Sequence, residues 1–265
     1  MKRKIDLDWY EEKAMQLLNS KQTFKDDNSL SGIEPKYRRP FQYFYELIST
    51  TLKVGSNVLE IGAGTGDHTK IILDAKVSLT ALDISTKSLE VLRLRFPTVT
   101  RTVIGDMQHM PFDDGEFDSI ISCGSLSYGN PEKVYLEIYR VLKPGGNLII
   151  LDTLANNPFY ALARLRHILM LKRSLSTLLY MPSTKHIRQL GSLFQFSTVR
   201  FFDPLIAFIP RSKPKYRSSL LFSRVISQAN LKLEQSAFSF FSHKFVMFAN
   251  KQVEAKGASE KDSFS

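Results

Sequence analysis

The stretch "NVLEIGAGTGDH", residues 57–68, decides how the rest of the chain is read. A short apolar run with Glu60 inside it leads straight into Gly62, Gly64 and Gly66. Glycines directly after a strand mark a tight turn where backbone comes close to a ligand at the start of a helix. A dinucleotide turn would read G-x-G-x-x-G. Here the spacing is G-x-G-x-G, Asp67 holds the place of the third glycine, and Glu60 adds another carboxylate. A pyrophosphate seeks bare N–H groups and a positive helix end, so two carboxylates oppose a nicotinamide dinucleotide and its oxidoreductase chemistry. They favour a ligand with a cationic centre.

Outward from this turn, short apolar runs alternate with amphipathic stretches, the pattern of βαβ units and a parallel sheet. Strands are predicted at 57–61, 78–83, 100–104, 117–122 and 147–152, and helices at 69–75, 86–96 and 131–142. Pro131 after Asn130 suits a helix start, and "KPGG" at 143–146 is expected to stop that helix before the fifth strand. Helices are also predicted at 7–18 and 40–52 before the core. After it come a broad amphipathic helix over 156–173, a capped helix in "STKHIRQLGSLF" (183–194), a strand at 196–202, a helix at 218–229 and a last strand at 244–250. This divides the chain into a helical lid (1–50), a core domain (51–250) with insertions 153–183 and 203–243 on the acceptor side, and a frayed tail (251–265).

Two further acids follow the strands at matching intervals. Asp83 closes the second strand, where a carboxylate can accept from two ribose hydroxyls. Asp106 follows the third, placed to accept from an adenine amino group while Ile84 and Met107 sandwich the ring. S-adenosylmethionine matches all of this: it has a sulfonium, an ammonium and one carboxylate, beside an adenosine.

With "VLEIGAGTG", "ALDIS", "GDMQHMPFDDGEFDSIIS" and "VLKPGGNLII" in that order, the sequence resembles the class I S-adenosylmethionine-dependent methyltransferases, in particular the small-molecule enzymes. The resemblance is carried by residues 57–152. It implies an α/β Rossmann-like doubly wound sheet of seven strands, mostly parallel with an antiparallel last strand, which "KFVMFAN" would supply. It also implies that Glu60, Gly62, Ala63, Gly64 and Gly66 contact the methionine part, Asp83 and Ile84 the ribose and ring, Asp106 and Met107 the adenine, and Ser122 and Cys123 the edge of the fourth strand.

Composition narrows the function classes. The single cysteine, Cys123, excludes a disulfide framework, a cysteine-built zinc site and a three-cysteine iron–sulfur cluster, so no metal is expected. "SCGSLSYGN" at the fourth strand lacks the D/N-P-P-Y/F-type sequence of base N-methylating enzymes, and no nucleic-acid module is visible, so a nucleic-acid partner is not expected. A basic start with no apolar h-region, and no run near the ~18 apolar residues of a membrane span, point to a cytoplasmic protein.

The net charge of +10 sits in one place: residues 153–217 carry 11 Lys or Arg and one acid, Asp203. An anionic acceptor, whether phosphate-bearing, a saccharide precursor or lipid-linked, fits that segment. So does peripheral contact with anionic lipid at the inner membrane surface, since "FYALARLRHILMLKRSLSTLLYM" mixes leucines with basic residues. His109, in the loop after Asp106, is the candidate general base for a hydroxyl acceptor. His68 is expected to face solvent or the preceding strand. A non-catalytic cofactor-binding or membrane-associated protein is the alternative reading.

Overall fold

The central strands carry apolar side chains on both faces, which requires helices on both faces of the sheet. In the computed structural model, which describes residues 2–19, 30, 33, 37–157, 162, 165, 168–170, 174–205 and 228–253, that is the arrangement found. Two helices come first, α1 (Lys2–Asn19) and α2 (Arg38–Thr51). The core then alternates β1 (Asn57–Ile61), α3 (Thr69–Leu73), β2 (Ser78–Asp83), α4 (Thr86–Arg95) and β3 (Arg101–Ile104). It continues through β4 (Phe117–Cys123), α5 (Pro131–Val141) and β5 (Leu142–Thr153). Short helices α6 (Ser176–Leu179) and α7 (Thr184–Gly191) precede β6 (Phe196–Phe202) and β7 (Lys244–Asn250).

The seven strands form one sheet in the order β3-β2-β1-β4-β5-β7-β6. Strands β1 to β5 run parallel, and β7 is antiparallel to both β5 and β6. The expected seven-stranded sheet with an antiparallel last strand is therefore present. Strand order reverses between β1 and β4, which opens a crevice at their carboxyl ends. Alternate residues feed opposite cores. Leu59, Ile120 and Leu148 pack with Ile138 and Val141 of α5, whereas Val58, Ile121 and Ile149 pack with Phe44 and Ile48 of α2 and Ile72 of α3. Full burial of Phe44 and Ile48, one turn apart, contributes about 1.5–3 kcal/mol each.

Local signals explain the helix boundaries. Asn130 caps α5 by accepting from the N–H groups of Glu132 and Lys133, with Pro131 behind it. Ser183 caps α7 in a capping box closed by His186. The "KPGG" expectation needs correction: α5 ends at Val141 as foreseen, but β5 begins at once with Leu142 and includes those residues. Pro144 lacks an N–H and Gly145 is left-handed (φ +77°), so the register against β4 shifts there. Backbone bonds between Gly145, Gly146 and Lys251, joined by the Asn250 amide, stitch the irregular stretch to the end of β7. The helices expected over 156–173 and 218–229, and the tail, lie largely outside the described residues.

Asp203, the lone acid of the basic segment, has a structural partner. Arg39 of α2 reaches its carboxylate at 3.1 Å and makes two 2.8 Å bonds to Glu234. Glu234 also accepts from the Asp203 N–H, so one buried cluster ties α2, the end of β6 and the chain before β7. Burial pushes Asp203 up to about 6, with Arg39 opposing the shift. Arg39→Ala would strand two buried carboxylates and is expected to lower unfolding stability by about 3 kcal/mol in urea titration at neutral pH. Adding Asp203→Asn should recover part of that loss.

Candidate functional site

Geometry of the glycine turn follows from hydrogen bonds that leave β1. The N–H groups of Gly62 and Ala63 both donate to the Leu82 carbonyl, at 2.8 and 3.1 Å. Gly64 N–H donates to one Asp83 carboxylate oxygen, and Ser85 N–H to the other, each at 2.8 Å. Asp83 thus clamps the turn to the end of β2. Burial raises its pKa above the usual carboxylate range, against the pull of these N–H groups. Gly62 and Gly64 both adopt left-handed backbone (φ +67° and +54°), but for different reasons. A Cβ on Gly62 would lie 2.4 Å from that of Ser125, whereas one on Gly64 would meet nothing within 4 Å and project into open space.

That space is a cavity at the topological switch point. Its wall includes Gly62, Ala63 and Gly64 from the turn, Asp83 and Ile84 after β2, Asp106 and Met107 after β3, and Cys123 at the end of β4. Eight of the eleven residues expected at the cofactor therefore meet in one place. Glu60, Gly66 and Ser122 do not line it. The pleat of β1 turns Glu60 inward, where it is buried and accepts from the Thr69 hydroxyl at 2.7 Å. Burial pushes it up to about 8, so it holds a proton near neutrality and is not one of the carboxylates that a cation would meet. Gly66 packs under Phe96, and the Ser122 hydroxyl bonds that of Ser125 at 2.7 Å.

Several wall residues had no sequence signal. Asp6, Leu7, Tyr10 and Lys13 come from α1, which covers the cavity. Polar ties hold it, among them the Tyr10 and Tyr128 hydroxyls at 2.9 Å, the Ser85 hydroxyl and the Lys87 N–H donating to Glu11 at 2.7 and 3.3 Å, and Ser174 donating to Asp6. Of the two helices described within the expected lid over 1–50, α1 lines the cavity and α2 is packed into the sheet. Helix α1 carries no glycine motif and buries one apolar residue among its described side chains, Ala14, so its docking was invisible to periodicity.

Two histidine expectations are corrected. His68 lines the cavity, bonded through Nδ1 to the Tyr45 hydroxyl at 2.9 Å and stacked on Phe41 at 5.4 Å. Burial pushes it down to about 4, leaving a neutral ring. His109 is exposed and is not among the residues that line the cavity, so the structure does not bring its imidazole to the site. His186 closes the α7 capping box, His243 lies beside Tyr37, and His167 falls outside the described residues. Among the described residues no His, Cys, Asp and Glu group could hold a metal ion.

Four carboxylates, of Asp6, Asp67, Asp83 and Asp106, share the wall with one Lys or Arg among the described residues, Lys13. Such a cradle suits a ligand with cationic centres and a single carboxylate. Residues 59–150 match the family described as a methyltransferase domain. Over those residues the chain is similar to methyltransferases.

The methyltransferase domain is 40% identical over 102 residues to demethylmenaquinone methyltransferase of Paenarthrobacter aurescens strain TC1, covering 38% of this chain and 40% of that protein. It is 36% identical over 120 residues to sterol 4-C-methyltransferase of Caenorhabditis elegans, covering 42% and 36%. The chain thus spans about two fifths of the length of these curated relatives. Phosphoethanolamine N-methyltransferase 2 of Haemonchus contortus shares the fold, with a TM-score of 0.56 at 17% identity over 82% of this chain and 53% of that one.

Glu60 also gives the domain a pH signature. Its pKa rises from 4.5 to about 8 on folding, so its contribution is complete below pH 4.5 and is lost as pH climbs through about 8. Glu60→Gln should remove that decline, of at most about 1.4 kcal/mol per pH unit, and gain most over wild type above pH 8. Urea unfolding followed from pH 5 to 9 checks it.

Proposed function

We propose that the chain is an S-adenosylmethionine-dependent methyltransferase acting on a small anionic acceptor, phosphate-bearing or lipid-linked, a saccharide precursor among the candidates. The observation that carries the reading is the cavity at the β1/β4 switch point, with acids along its wall and one lysine at its rim. Asp83 and Ile84 would hold the ribose side, and Asp106 and Met107 the adenine. Gly62, Ala63 and Gly64 open the backbone to the methionine part, with Cys123 and Gly124 opposite. Lys13 of α1 is the one Lys or Arg on the wall among the described residues, His68 being neutral, and we assign it to the methionine carboxylate. Glu60, Gly66 and Ser122 support the turn from behind.

Bound in this cradle, S-adenosylmethionine supplies an electrophilic methyl group for in-line displacement. The chain contributes position: the Asp83 clamp fixes the turn, α1 closes the cavity against water, and neutral Cys123 and His68 offer no competing charge. The acceptor class is supported by the basic excess of residues 153–217, whose one acid is occupied by Arg39.

Incubation of the protein with isotope-labelled S-adenosylmethionine and cell extract should yield an acceptor gaining one labelled methyl group. Thermal stabilisation by a nicotinamide dinucleotide and none by S-adenosylhomocysteine would overturn the reading. Asp83→Ala is expected to weaken S-adenosylhomocysteine binding by more than about 1 kcal/mol in calorimetry. Lys13→Met should weaken it roughly tenfold while leaving 5′-methylthioadenosine, which lacks the amino-acid part, unaffected. Equal losses for both ligands would remove Lys13 from the carboxylate.

A further inference from the structure

An apolar surface beside the cavity has no role in the cofactor site. Leu162, Leu165 and Leu169 are helical positions three and four residues apart, which places them on one face. They are exposed, Leu162 at 67% and Leu169 at 76%, and Met170, Leu175 and Leu179 are exposed further along the same stretch. The sequence sets Arg164, Arg166, Lys172 and Arg173 among them, and no acid occurs between Asp152 and Asp203. Asp203 is itself buried against Arg39, so it offers no counter-charge. Exposed aliphatic side chains in a stretch of sequence that carries basic residues and no acid, with Phe159 and Tyr160 just ahead of them, have the composition of an interfacial segment on anionic lipid.

The place of this stretch matters as much as its chemistry. Ser174 donates through its backbone and hydroxyl to Asp6 of α1, the lid helix. Helix α6, which follows, packs against the turn Leu126–Tyr128, and Tyr128 lines the cavity. Ser174 and α6, which follow the exposed leucines in the sequence, therefore touch two elements of the cavity wall.

We propose that the face carrying Leu162, Leu165 and Leu169 docks on an anionic lipid bilayer, bringing the cavity to an acceptor dissolved in that bilayer. No helix among the described residues is long and apolar enough to cross a membrane, so the contact is interfacial. Delivery of an acceptor rests on the methyl-transfer reading above, whereas docking stands without it.

Flotation of the full chain with vesicles tests the docking directly. Co-flotation is expected with phosphatidylcholine vesicles containing phosphatidylglycerol, and it should weaken as salt is raised. Leu162→Glu with Leu169→Glu should cut vesicle partition at least about tenfold, as two lost apolar anchors imply. Arg164→Gln with Arg166→Gln should also reduce it. Both variants should retain thermal stabilisation by S-adenosylhomocysteine, which confirms that they fold and separates this result from any failure of the methyl-transfer reading. No flotation, equal flotation on phosphatidylcholine alone, or flotation that survives both pairs of substitutions would overturn the proposal. So would capture of a protein or RNA partner by the wild-type face in place of vesicles.

Discussion

The ends of β1 and β4 approach so closely that Gly62 has no room for a side chain. Ser125 fills the place a Cβ would take, and its hydroxyl bonds the Ile61 carbonyl and the Ser122 hydroxyl. This contact sets the width of the crevice at the switch point. It also forces the next residues outward, so that Gly64 opens on the cavity and reaches the Asp83 carboxylate. A larger residue at 62 would push the two strand ends apart and take the clamp with it. The Asp152 carboxylate secures the other side by accepting from the Leu126 N–H, so the turn after β4 is held as firmly as the one after β1.

Against this fixed floor, the cover is built differently. Among its described side chains α1 buries one apolar residue, Ala14, and it is tied by hydroxyl and carboxylate contacts, whereas α2 buries Phe44 and Ile48 in the sheet. Such polar ties stabilise by about 0.5–1.5 kcal/mol each, below the burial that fixes α2. The floor and the cover of the cavity therefore belong to different levels of the stability hierarchy, as a site that must admit and release ligand requires.

Much of the floor was legible because its signals are local. Apolar runs, even glycine spacing and acids at strand ends place β1, β2 and β3 and the eight wall residues of the core. What failed depended on direction in space. Glu60 and Ser122 sit in the right strands but face away from the cavity, a matter of pleat that spacing from a glycine does not encode. Gly66 follows two glycines that line the cavity, yet its own duty is to admit the ring of Phe96. His68 was misplaced because its inward turn depends on Phe41 and Tyr45, more than twenty residues earlier in the chain. The docking of α1 rests on partners as distant as Ser174, which no periodicity connects to Asp6.

Cys123 carries a consequence of its own. Burial pushes its thiol well above the ordinary range, so in the closed protein it is a protonated, poorly nucleophilic group despite lying on the cavity wall. It is the one cysteine of the chain, and it stands on the cavity wall. The rate at which this single thiol meets an alkylating reagent therefore reports whether the cavity is filled, with no label added to the chain.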